Sequence, residues 1–176
     1  MTMMATPAQI QIRYIQEEDR ILMRLNTVAE EEYRFWLTHR FLIRLWPVLQ
    51  DALMSSPAVK QHSDIHSRQA IIAFEHEQAQ SKAQFNSPFR EASNLPLGKD
   101  PLLVAKAGFR HQTNGALALS LKNVAEKGAD LTLTHDLLHL LCQLLDDAAQ
   151  QSEWKMSSLL PNITETHSPV AAHQLN

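Results

Sequence analysis

Two stretches of the chain carry the same alternation of apolar and polar positions. Residues 37–53 read LTHRFLIRLWPVLQDAL and residues 133–149 read LTHDLLHLLCQLLDDAA. Without gaps, at an offset of 96, positions 16–52 and 112–148 share 13 identities in 37. Five are leucines, matched cheaply in a Leu-rich chain. Val28-Ala29-Glu30 against Val124-Ala125-Glu126, and Leu37-Thr38-His39 against Leu133-Thr134-His135, are harder to obtain by chance. An internal repeat constrains the architecture before any other signal.

The two copies are read together. In the second, LVAKAGFRH and ALALSLK flank QTNG, and Asn-Gly between alternating runs predicts a hairpin with a type I′ turn. In the first, IQIRYI and RILMRLN flank QEED, which lacks glycine and predicts a longer or type I loop. EYRFWLT, read beside DLTLT after Gly128, alternates as a third strand. Thr38 and Thr134 then cap a helix in each copy. At 100° per residue, Leu137, Leu138, Leu140, Leu141, Leu144, Leu145 and Ala148 share one arc, and Phe41, Leu42, Leu45, Val48, Leu49 and Ala52 form its counterpart. Burying each leucine is worth roughly 1.5–3 kcal/mol, so both helices should cover a sheet. Pro47 should kink the first.

The expected fold is α+β: an internal duplication of a three-strand antiparallel meander plus helix, βββα–α–βββα. The sheets would merge into six strands or pair edge to edge, with the repeated helices on one side. Repeat one spans residues 10–56, a linker with one helix 57–100, and repeat two 101–156, in one pseudo-symmetric domain; 157–176 is expected to be a flexible tail. Within the linker, SSPAVKQHSDIHS should be a polar loop and RQAIIAFEHEQAQSKAQF a half-buried helix resting on Ile71, Phe74 and Phe85. NSPFREASNLPLGKDP should be an extended loop.

Composition narrows the function classes. A net charge of −3 gives no general attraction to nucleic acid or anionic lipid. A single cysteine, Cys142, allows no intrachain disulfide and fits a cytoplasmic protein. The opening MTMMATPAQIQIR has no charged-then-apolar leader, and Asp136 and His139 break the longest leucine-rich stretch, so neither a signal peptide nor a membrane span is expected.

Candidate chemistry is sparse. The four glycines are too scattered to cradle phosphate, there is no G-x-S-x-G elbow, and Cys142 sits mid-helix among leucines. His135, His139 and Cys142 at i, i+4, i+7 have zinc-ligand character. Their counterparts are His39, Ile43 and Trp46, of which only the first could ligate, so the repeat argues against a metal there. His62 and His66, also four apart and beside Asp64, lie in an expected mobile loop with no cysteine near and make a weaker ligand pair. The Glu75-His76-Glu77 triplet reads as solvated surface. No cofactor, metal or catalytic residue is assigned.

The basic residues of repeat one are all arginine, and strand alternation puts Arg20, Arg24, Arg34 and Trp36 on one outer face. The simplest reading is cross-strand pairing with neighbouring glutamates. Arg and Trp are also favoured at protein-binding hot spots, and together they can grip single-stranded nucleic acid. Ile43 and Trp46 widen the apolar arc of the first helix beyond what one sheet needs, which suggests a partner or subunit interface. The sequence thus points to a non-enzymatic cytoplasmic binding protein, an adaptor, regulator or assembly factor, contacting another protein or a second copy of itself. Nucleic-acid binding stands second and metal binding third.

Overall fold

The computed structural model describes residues 4–82 and 87–157. Strands β1 (Met4–Ala5), β2 (Pro7–Ile15), β3 (Arg20–Thr27) and β4 (Glu32–Thr38) lead into helix α1 (His39–Met54). Helices α2 (Pro57–Lys60) and α3 (Ile65–Lys82) follow. Strands β5 (Leu102–Leu103), β6 (Lys106–His111), β7 (Leu117–Lys122) and β8 (Gly128–Leu133) then lead into helix α4 (His135–Gln151). The fold is α+β, with two four-stranded sheets and helices against them.

The repeated sequence produces repeated local geometry, at the positions where the triplets match. Val28-Ala29-Glu30 and Val124-Ala125-Glu126 are hairpin turns. Thr27 N–H bonds the Glu31 carbonyl at 2.9 Å, Asn123 N–H bonds the Lys127 carbonyl at 2.8 Å, and Glu30 and Glu126 take positive φ of 57° and 62°. Thr38 Oγ1 accepts from Phe41 N–H and Thr134 Oγ1 from Leu137 N–H, so each LTH triplet is a strand end, a cap and a helix start. Pairing repeats as well: Met23 faces Phe35 in one sheet, and Leu119 faces Leu131 in the other. The correspondence is looser at the first hairpin. Ile10 pairs with Leu25, whereas Ala107 pairs with Leu121, one residue out of step. Gly128 is where β7 comes closest, since a Cβ there would lie 1.9 Å from the Leu121 carbonyl oxygen.

Several expectations need correction. The Asn114-Gly115 turn is not type I′: Gly115 alone takes positive φ, and Gln112 N–H bonds the Ala116 carbonyl, closing a three-residue loop. The equivalent position in repeat one is Asp19, also left-handed at φ 47°. The sheets do not merge into six strands. Their orders are β2-β3-β4-β5 and β1-β8-β7-β6, and each ends in a two-residue strand donated by the other half. Leu102 of β5 lies parallel beside Phe35, and Ala5 of β1 parallel beside Leu131, so the exchange is reciprocal. Strands this short carry too little pattern to be read from sequence.

Inward residues of both sheets, including Ile21, Met23, Phe35, Leu119 and Leu131, form one continuous core with α1 and α4. Helix α1 runs through Pro47 from His39 to Met54. Pro47 lies on the exposed side, where the carbonyl of Ile43 left without an i+4 donor can meet water. The linker departs most from expectation. SSPAVKQHSDIHS is not all loop: Ser56 caps α2, and α3 begins at Ile65. Helix α3 buries Ile72 and Ala79, not Ile71 and Phe74; Phe74 is exposed. The expected end of that helix at Phe85, and the expected tail beyond Ser157, lie outside the described residues. Among the described residues no helix is long and apolar enough to cross a membrane.

Candidate functional sites

The outer face of sheet β2-β3-β4-β5 follows the expected alternation. Ile21, Met23 and Leu25 point inward, leaving Arg20, Leu22 and Arg24 outside; Tyr33, Phe35 and Leu37 point inward, leaving Glu32, Arg34 and Trp36 outside. Arg24 and Arg34 are cross-strand partners, and both clasp Glu32. Arg24 donates to Glu32 Oε1 from Nε at 2.9 Å and Nη2 at 2.7 Å, and Arg34 Nε donates to the same oxygen at 2.7 Å. The Ala92 N–H donates to Oε2 at 3.1 Å. Glu32 is buried. Burial alone would raise its carboxyl pKa, but the hydrogen bonds from Arg34 and Arg24 outweigh it and hold the group below the usual carboxylate range.

The chain after α3 lies over this cluster. Arg24 also bonds Glu91, its guanidinium sits 4.7 Å from the centre of the Phe89 ring, and Arg34 Nη1 donates to the Lys99 carbonyl. Arg24 and Arg34 are therefore spent largely inside the molecule. What remains outward is one cross-strand row, Arg13–Leu22–Trp36–Leu103, with Arg20 in the next row. Leu103 is 45% exposed. Arg20 has only a loose contact with Glu18 at 3.8 Å, and Arg13 is exposed with no ion pair among the described residues.

The two apolar residues singled out on α1 are placed differently. Ile43 is 51% exposed, but Trp46 is 3% exposed and packed in the core. The Trp46 indole N–H donates to the Ser157 carbonyl at 2.5 Å. That part of the arc is wider than the sheet requires because Trp46 turns into the core and is bonded by the chain after α4.

A second constellation joins α3 to α4. His135 and His139 are one turn apart on α4, and Glu75 reaches them from α3. The two Nε2 atoms are 3.2 Å apart; Glu75 Oε2 lies 3.0 Å from His135 Nε2 and 3.6 Å from His139 Nε2. Ser56 Oγ, at the start of α2, donates to the same carboxylate at 3.2 Å. His139 is fully buried, the Glu75 side chain is 15% exposed and that of His135 36%. Burial first, then the charges His135 and His76 can carry, push His139 down to about 4. His76, hydrogen-bonded to Gln143, is also pushed down by burial. Among the described residues, Glu75, His135 and His139 are the one group whose ligand atoms converge closely enough for a metal ion.

Cys142 takes no part. It is buried in the core, and desolvation pushes its thiol up, which leaves it protonated. The sequence paired the histidines with the wrong third residue, since Glu75 lies in the Glu75-His76-Glu77 triplet read as solvated. The signal was present but faint: Ile72, Glu75, His76 and Ala79 follow helical spacing, so the two polar residues belong to the buried stripe. Comparison with the other copy misled because α3 has no repeat counterpart. His39 stacks on Trp154 at 4.7 Å, while Ile43, the counterpart of His139, is exposed.

No protein-family model matches the chain, and no curated protein or solved structure matches it either.

Proposed function

We propose that this is a non-enzymatic binding protein of the cytoplasm, an adaptor or regulator, that engages an acidic segment of another protein through the outer face of sheet β2-β3-β4-β5. The observation that carries the reading is the row Arg13–Leu22–Trp36–Leu103, an apolar strip ending in an arginine with no ion pair among the described residues, and Arg20 beside it. Aromatic and arginine side chains together supply most hot-spot energy in protein interfaces. Arg13, and Arg20 with its long contact to Glu18, favour carboxylates in the partner.

The same face suits single-stranded nucleic acid less well. Two of its four arginines are held by Glu32, and its strands present one outward aromatic, where such binders stack successive bases on several. Its arginines lie beside Glu18 and Glu91 rather than in a uniformly basic groove.

The test uses a display library of acidic peptides against the wild type and the double variant Arg13→Glu plus Trp36→Ala. The expected result is a consensus containing Asp or Glu next to an apolar residue. Affinity should fall by at least about tenfold in the variant, the loss of one hot spot. Identical selections from both proteins would refute the reading. A salt-sensitive mobility shift with oligonucleotides, abolished in the same variant, would replace it with the nucleic-acid one.

A further inference from the structure

We propose that Glu75, His135 and His139 form a binding site for a divalent first-row transition-metal ion, Zn²⁺ in the first instance, with a coordination position open to solvent beside His135.

The spacing is the first argument. Zinc bonds imidazole nitrogen and carboxylate oxygen at about 2.0–2.2 Å in tetrahedral geometry, which places the donor atoms of one site about 3.3 Å from each other. The three donors here are 3.0, 3.2 and 3.6 Å apart. The donors already stand at the mutual spacing one ion requires.

The second argument is hydrogen-bond accounting. Two Nε2 atoms and one carboxylate oxygen meet at a point. If both imidazoles carry the proton on Nε2, two N–H groups face each other at 3.2 Å. If neither does, three lone pairs converge. One proton satisfies one pair of atoms and leaves the third atom short. A divalent cation satisfies all three. His139 has particular need of this: it is fully buried, and its Nδ1 has no partner among the described residues, so its polar contacts run through Nε2. A buried imidazole bonded so sparsely is costly, and a metal bond offsets that cost.

The third argument is support and access. The i, i+4 pair on α4 forms a rigid chelate, and the third ligand sits on a separate helix. Ser56 Oγ orients the Glu75 carboxylate as an outer-shell partner does in metal centres. His135 lies toward solvent, giving the ion an entry path and room for water. Two imidazoles with one carboxylate suit Zn²⁺ and its first-row neighbours, whereas Mg²⁺ and Ca²⁺ prefer all-oxygen sites.

A bound ion would join α3 to α4. Helix α3 fully buries only Ile72 and Ala79 among its apolar residues, so its packing is weak and a coordinate link would matter to it. The site stands apart from the sheet face and does not depend on that reading.

The test titrates Zn²⁺ into the tag-free full chain, stripped of metal, against a chromophoric chelator, with Co²⁺ as a spectroscopic substitute. One equivalent of Zn²⁺ should bind, and Co²⁺ should give the intense visible absorption of a four-coordinate centre. Zn²⁺ should also raise the thermal midpoint. His139 is too buried to replace safely, so the variants are Glu75→Gln and His135→Asn. With far-UV circular dichroism unchanged, each should bind Zn²⁺ at least about tenfold more weakly and lose the thermal shift. The exposed double variant His62→Ala plus His66→Ala should bind as wild type does. The proposal is overturned if the wild type retains no Zn²⁺ against the chelator. It is equally overturned if both site variants keep full affinity, or if the His62/His66 variant loses it.

Discussion

At the residue scale, Glu32 shows how one buried charge organises its surroundings. Its carboxylate accepts from Arg24, Arg34 and the Ala92 backbone, so it joins two strands to the chain that crosses them. Replacing it with glutamine leaves the Arg34 guanidinium without its counter-charge and Arg24 with Glu91 alone. Glu32→Gln should cost about 3 kcal/mol, the low end for breaking a buried pair because both arginines keep some solvent contact; urea unfolding measures it. The sign of the pH effect follows from the lowered pKa. The folded state binds fewer protons at Glu32 than the unfolded state does, so this stabilisation is full above the ordinary glutamate value. It is lost as pH falls through the lower folded value. Denaturation midpoints across the acid range should therefore slope less steeply in Glu32→Gln than in wild type. Cys142 supplies a second check. Its burial and raised thiol pKa predict no reaction with a thiol reagent in the native protein and one equivalent after denaturation. Labelling at native pH as fast as in urea would contradict that placement.

At the element scale, the triplets repeated between the two halves are turns and caps, the positions where few residue types serve. Glu30 occupies a left-handed turn position at a steric cost that only glycine avoids. Glu30→Gly should therefore raise stability by about 0.5–1 kcal/mol, the relief of strain less the extra entropy of the unfolded chain. Thr134→Ala removes the cap that Leu137 N–H uses and should cost about 1 kcal/mol. Both shifts are readable in thermal midpoints, and opposite signs would show that these turns and caps do not carry the repeat. The strands and the two long repeated helices were legible in the sequence because their alternation and 3.6-residue stripes extend over several turns. Helix α3 was legible as a helix but not in its orientation. Its buried stripe mixes Ile72 and Ala79 with Glu75 and His76, and a reading guided by apolar residues turned toward Ile71 and Phe74 instead. The metal constellation was half visible for the same reason: the histidine pair announced itself by spacing, and its carboxylate did not.

At the scale of the molecule, the reciprocal strands and the common core make each half incomplete alone. Strand β1 finishes the sheet built from repeat two, strand β5 finishes the sheet built from repeat one, and apolar residues of both sheets meet in one cluster. Trp154, after α4, stacks on His39 and donates its indole N–H to Asp19 in the first hairpin, so the end of the described chain is fastened to its beginning. The three tryptophans, at 36, 46 and 154, all lie on or against repeat one. Far-UV circular dichroism reports both halves, and tryptophan fluorescence reports mainly the first. The two should give coincident urea transitions. A fluorescence transition that precedes or trails the circular dichroism would show that the halves fold separately.

The sequence by itself determined the local structure: which residues alternate as strands, where helices are capped, and where the turns and caps of one half recur in the other. Those features depend on neighbours a few positions apart, and a repeat states them twice. Tertiary structure alone decided the rest. It exchanged β1 and β5 between the halves, spent Arg24 and Arg34 on Glu32, buried Trp46 and bonded it to Ser157, and brought Glu75 to His135 and His139 across some 60 residues. The physical reason is that charge pairing, burial and ligand convergence depend on which surfaces meet, and the repeat offers no second copy of α3 from which to learn that.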